Sequence, residues 1–147
     1  MTQAQKTAYI LGLSGLIPFI IPAIVIWFVT SDVSQILETM QMAYAALIIS
    51  FMGGVQWGYA VKQGDAAQPV HYILSVIPTL IIFGTLFLAL MMQPYHLNII
   101  FIILLVAQNI MDQARYVETW FLKLRWVLTV TASLSLLSVG IFQFIRF

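Results

Sequence analysis

Residues 70–92 read VHYILSVIPTLIIFGTLFLALMM, a run without one aspartate, glutamate, lysine or arginine. At about 1.5 Å per helical residue, such a run is long enough to cross a hydrocarbon core of about 30 Å. Four further stretches with few or no ionisable groups flank it, at residues 9–30, 40–61, 95–111 and 124–145. Together they fill most of the 147 residues. Backbone amides in lipid must find partners within their own segment, so runs of this length predict helices. A membrane β-barrel would show strands of about ten residues alternating in polarity, whereas these runs are continuous. The expected fold is all-α, one polytopic bundle of five transmembrane helices spanning residues 1–147.

Composition narrows the chemistry. The chain is 62% hydrophobic and 7% charged, where a soluble domain carries about a quarter charged residues. Cysteine is absent, which excludes disulfides, thiolate metal sites and thiol nucleophiles. A net charge of +1 without a basic cluster gives no reason to expect a nucleic-acid partner. The partners implied are the bilayer itself and a second membrane protein or second copy. Lys6 followed by an apolar run has the outline of a signal peptide, with Val29-Thr30-Ser31 as a poor cleavage match. The run is longer than a signal core and contains Pro18 and Pro22, so the first span is expected to be retained.

Five spans put the termini on opposite sides. One side collects Lys6, Lys62, Arg115, Lys123 and Arg125, while the other has Arg146, with Asp32 and Glu38 in a first connecting loop and an uncharged turn at Gln93-Pro94. The positive-inside rule then predicts a cytoplasmic N-terminus, or a matrix-facing one in a mitochondrion. Tyr9, Tyr59, Tyr72, Tyr116, Trp120 and Trp126 fall near the basic boundary, and Trp27, Tyr44 and Tyr95 near the other. Such rings settle at headgroup level and anchor a span.

Lipid tails are as apolar as leucine, so helices in a bilayer associate through close packing and polar contacts. Ser50, Gly54 and Gly58 recur every four residues, and Gly53 widens their groove. This stripe predicts a helix-packing face. Gln56 points away from it, which places the second span near the bundle centre, covered on two sides. Pro18, Pro22 and Pro78 each remove a backbone donor and predict kinks.

Polar side chains gather at the basic side: Gln56 and Trp57, His71 at the start of the third span, and Gln108, Asn109, Asp112 and Arg115 on the fourth. Arg125 opens the fifth span, followed by Thr129 and Ser133. They predict either a structural network, with Asp112 paired to Arg115 or Arg125, or the lining of a pocket for a polar headgroup or ion. The other half of the membrane offers only His96 and Asn98 at the mouth of the fourth span, which argues against a translocation path. The histidines stand on opposite sides and cannot share a metal or haem. No HExxH, GxSxG or phosphate-cradling glycine loop is present. The expectation is a protein without catalytic site, metal or cofactor.

Several motifs run in order along the chain: Leu11-Gly12-Leu13-Ser14-Gly15-Leu16-Ile17-Pro18-Phe19, Tyr44-Ala45-Ala46, Ser50-Phe51-Met52-Gly53-Gly54-Val55-Gln56-Trp57-Gly58, Ser75-Val76-Ile77-Pro78-Thr79-Leu80, Asp112, and Leu124-Arg125-Trp126-Val127-Leu128-Thr129. In these the chain resembles the small five-span membrane proteins of the domain of unknown function 3429 family, which includes a transmembrane protein 69 type. The resemblance implies five membrane helices in a bacterial inner or mitochondrial inner membrane, and brings no activity with it. Where that family tends to have proline before the Trp, this chain has Glu118-Thr119-Trp120, so the fourth loop is expected to be more helical. Trp57 and Trp120 stand isolated and do not make the signature of the porphyrin-binding tryptophan-rich sensory proteins. The two functional expectations are an accessory, assembly or scaffold protein, and a binder of a small lipophilic ligand or lipid headgroup. An ion or proton transporter ranks below both.

Overall fold

Helices α1 (Gln3–Ser14), α2 (Ile17–Val25), α3 (Ser31–Gln63), α4 (Pro69–Leu88), α5 (Pro94–Arg115) and α6 (Thr119–Arg146) make up a computed structural model that describes residues 1–88, 91, 94–115 and 118–146. Only the backbone of Pro94 is described. Gln93 of the uncharged turn, Tyr116 of the aromatic belt and most of the end of the third predicted span lie outside the described residues. The helices form five units long and apolar enough to cross a membrane, with α1 and α2 together making the first.

Local chemistry sets the boundaries. Thr2 and Gln5 cap α1 reciprocally: the Gln5 amide donates to Thr2 Oγ1 at 3.2 Å and the Thr2 amide to Gln5 Oε1 at 3.0 Å. The first span breaks at Gly15-Leu16 rather than at a proline, because Pro18 sits in the first turn of α2, where its missing donor costs no helical bond. Pro22 and Pro78 lie inside α2 and α4 and are buried. Gly64 ends α3 at φ 55°, the left-handed backbone that side-chain-bearing residues avoid.

Several boundaries differ from the sequence reading. Helix α3 begins at Ser31, nine residues before the span expected at Met40, so Glu38 belongs to a helix rather than to a loop. The Thr30-Ser31-Asp32 segment supplies the ordinary helix-start residues, and Asp32 sits in the first turn. At the other end of the chain, α6 starts at Thr119 rather than at Leu124, which turns Lys123 into a helical residue and shortens the fourth loop.

The exterior is apolar almost everywhere. Phe28, Phe83, Phe87, Leu47 and Ile10 are largely exposed, whereas the interior mixes small, apolar and amide-bearing residues. That inversion is what a bundle immersed in lipid requires. Phe19, Ala45, Ile49, Phe101, Leu105 and Leu136 form the central apolar layer. Buried positions repeat with the helical period. On α3 they run Glu38, Gln41, Ala45, Ile49, Gly53, Gln56 and Ala60, and on α6 Arg125, Thr129, Ala132, Leu136, Val139 and Gln143. Helix α3 packs against α2, α4 and α5, the central position its buried Gln56 predicts.

The glycine stripe divides unexpectedly. A Cβ on Gly53 would run into the carbonyl oxygen of Ser75 on α4, so α3 and α4 approach closely there. Gly54 and Gly58 meet nothing within 4 Å, and both are exposed. Of the glycines in this stretch, the one that packs within the chain is Gly53, one residue off the predicted Ser50–Gly54–Gly58 line. A rotation of about 100° per residue puts it on another face.

Candidate functional site

The basic end of the bundle holds a buried ion pair. Arg125 Nε donates to Asp112 Oδ2 at 2.6 Å, and Gln56 Nε2 donates to Asp112 Oδ1 at 3.1 Å. Both carboxylate oxygens are thus engaged, by α6 and α3, around a residue supplied by α5. Each partner is nearly inaccessible: 1% of Gln56, 2% of Asp112 and 3% of Arg125 is exposed. Of the two arginines available to Asp112, the fold selects Arg125. Arg115 contributes its backbone carbonyl instead, which accepts from Tyr59 Oη at 2.9 Å.

The network leaves donors unused. Arg125 Nη2 and Thr129 Oγ1 are buried and have no hydrogen-bond partner among the described residues. Both residues line a cavity of about 450 Å³ bounded by α1, α2, α3, α5 and α6, within the size range of small-molecule sites. Its other walls are apolar or aromatic, among them Phe19, Met52, Trp120 and Phe121. Leu11 and Phe51 also line it yet are 66% and 63% exposed, which places the mouth between α1 and α3, opening sideways. Helix α1 has no buried residue. Two tyrosine hydroxyls tie it down, Tyr9 Oη donating to the Trp120 carbonyl at 3.0 Å and Tyr44 Oη to the carbonyl of Gly15, just past its end, at 2.9 Å. Tyr44 therefore acts within the bundle rather than at the boundary where its position in the sequence suggested a belt.

Other predicted residues fall outside this arrangement. Gln108 Nε2 donates to the Ile49 carbonyl at 2.9 Å and braces α5 on α3 rather than bonding Asp112. Trp57 is 46% exposed and stacks edge-on against Tyr72, with ring centres 5.0 Å apart. His71 accepts locally from the Gln68 amide at 3.3 Å, on the N-terminal turn of α4. Ser50 is half-buried on α3.

A second polar layer lies at the opposite end, where the sequence offered little. Asn98 Nδ2 donates to Gln143 Oε1 at 2.7 Å, and Gln143 Nε2 donates to Glu38 Oε2 at 3.0 Å. Arg146 closes it, with Nη1 2.6 Å from Ser34 Oγ and 3.7 Å from Glu38 Oε1. Gln41 Nε2 donates to the Phe19 carbonyl at 2.9 Å. Glu38 and Gln56 are eighteen residues apart on α3, as are Arg125 and Gln143 on α6. Eighteen residues are five helical turns, about 27 Å, so each pair shares one face. That periodicity is the readable signal, and it stays hidden as long as Glu38 is read as a loop residue. The apolar layer of Ala45, Ile49, Phe101, Leu105 and Leu136 separates the two networks.

The profile of a family described as Protein of unknown function (DUF3429) matches residues 4–141, which covers all six helices except the last turn of α6. The chain belongs to the DUF3429 family. Among curated DUF3429-type relatives, Transmembrane protein 69 of Xenopus tropicalis is 34% identical over 145 residues, covering 92% of this chain and 54% of its own length. Transmembrane protein 69 of Mus musculus is 26% identical over 137 residues, covering 92% and 56%. The chain spans about half the length of the curated relatives it matches. No solved structure matches it. In this DUF3429 chain Thr119 and Trp120 form the first turn of α6.

Proposed function

We propose that this membrane protein binds a lipophilic molecule in the cavity between α1, α3 and α6, without catalysing its conversion. The observation that carries this reading is Arg125, 3% exposed and lining an otherwise apolar cavity, with Nη2 unpartnered among the described residues. A buried donor without an acceptor costs about 1–3 kcal/mol, and a ligand head that supplies one recovers it. Asp112 supports a non-catalytic role, because each of its oxygens already accepts a structural hydrogen bond, one from Gln56 and one from Arg125. The basic end, with Lys6, Lys62 and Lys123, supports a cytoplasmic N-terminus in a bacterial inner membrane, or a matrix-facing one in a mitochondrial inner membrane.

Native mass spectrometry of the protein released from mild detergent tests the reading. A retained amphiphile, at about one per chain, is expected. Protein that arrives bare from every detergent used contradicts it.

A second reading, an accessory or assembly protein packed against another membrane protein, is favoured by the open ground beside Gly54 and Gly58. Small residues facing lipid allow a neighbouring backbone to approach. Gly54→Leu and Gly58→Leu should then abolish a stable complex in native detergent. Only monomer and lipid from wild type would remove this reading.

A further inference from the structure

We propose that the cavity takes an uncharged amphiphile whose head presents carbonyl oxygens, held by Arg125 Nη2 and Thr129 Oγ1. The inference rests on the reading of the cavity as a ligand site and names the chemistry of its ligand. It follows from charge balance. Arg125 is the one ionised side chain among the described residues of the lining, and its charge is already matched by Asp112 at 2.6 Å. The side chains around that pair, Gln56, Gln108, Asn109 and Thr129, are neutral and buried. An anionic head would bring an unmatched charge into this layer, a costly step away from water. A carbonyl accepts the same hydrogen bond with no net charge introduced.

Depth points the same way. Arg125 lies six residues into α6, about 9 Å along the helix from Thr119. A head that reaches it must descend below the rim where Lys123 is exposed, and ionised groups resist that descent. Thr129 stands one turn farther along the same face, about 6 Å on, and its hydroxyl is a second buried donor without an acceptor among the described residues. Two donors in line suit a head with two oxygens. Diacylglycerol-type esters and prenylated quinones both carry such heads on chains soluble in lipid. The chain of either can leave sideways between Leu11 and Phe51 into the bilayer.

The test uses Trp120, which lines the cavity, as sole reporter in full-length protein with Trp27, Trp57 and Trp126 changed to Phe. In phosphatidylcholine nanodiscs its fluorescence is titrated with a diacylglycerol carrying brominated chains, a phosphatidic acid with the same chains, and a short-prenyl benzoquinone. Saturable quenching by the diacylglycerol or the quinone is expected at a mole fraction about tenfold below that for phosphatidic acid, about 1.4 kcal/mol against bringing an unmatched charge into the layer. Whichever of the two neutral probes saturates first identifies the source. The double variant Asp112→Leu/Arg125→Met, which removes the pair while preserving apolar bulk, should lose the preference. Phosphatidic acid quenching at an equal or lower mole fraction overturns the neutral head but leaves the cavity a ligand site. A preference unchanged in the double variant also overturns it, since the donors then play no part. The absence of saturable quenching by all three probes overturns the binding reading with it.

Discussion

Arg125 meets Asp112 through Nε, at 2.6 Å, with 3% of either side chain exposed. This geometry engages the carboxylate and leaves Nη2 without an acceptor among the described residues. The pair joins α5 to α6, and Gln56 extends it to α3, so one carboxylate fixes three helices at the basic end.

Breaking this pair by one substitution should be far worse than removing it whole. Asp112→Leu and Arg125→Met alone each strand a buried charge, at a cost of about 3–5 kcal/mol. Together they should cost much less, because two apolar side chains replace two matched ions. Reversible unfolding in mixed micelles, read as a double-mutant cycle, checks this. Additive losses would show that the two side chains do not share one interaction.

Glycines one residue apart should respond differently. Gly53→Ala pushes a methyl group against the Ser75 carbonyl and should cost about 1–3 kcal/mol, the usual range for overpacking. Gly54→Ala and Gly58→Ala meet open space and should stay within about 0.5 kcal/mol in the isolated chain. Unfolding midpoints of the three variants test the α3–α4 register. Equal effects at Gly53 and Gly54 would contradict it.

At the opposite end, Gln143→Leu removes both the donor to Glu38 and the acceptor for Asn98. It should destabilise by about 1–3 kcal/mol for the buried polar groups left behind. The same substitution should leave ligand retention at the basic end unchanged, because an apolar layer separates the networks. Loss of retention would mean that the two ends are coupled.

The tyrosine tethers set how firmly α1 is held. Tyr9→Phe and Tyr44→Phe each delete one hydrogen bond from a helix with no buried residue. Amide exchange in Gln3–Ser14 should rise in both, more in the double variant, while α5 and α6 stay protected. Unaltered exchange in α1 would assign its position to packing alone.

Much of the fold was readable because hydrophobic length is a coarse signal that needs no partner. The absence of charge over residues 70–92 and its counterparts announces helices whatever they pack against. Asp112, Gln56 and Arg125 could also be placed at one end from chain order and orientation alone. What could not be read was pairing. Whether Asp112 pairs with Arg115, one turn on along its own helix, or with Arg125 depends on how α5 and α6 face each other. A step of about 100° separates Gly53, which packs, from Gly54, which does not. Glu38 was missed for a different reason: a carboxylate near a predicted span end reads as loop, yet continuing the α3 period outward from Gln56 by five turns lands on it. The cavity had no sequence signal, since it arises where α1 stands off from α3.

A structure determined from crystals grown in a lipid mesophase bears most directly on the central claim, that Arg125 serves a ligand held between α1, α3 and α6. The account predicts elongated density entering between Leu11 and Phe51, with a polar end about 3 Å from Arg125 Nη2. A cavity closed by α1 packed onto α3, with Nη2 bonded to a protein carbonyl instead, would contradict it.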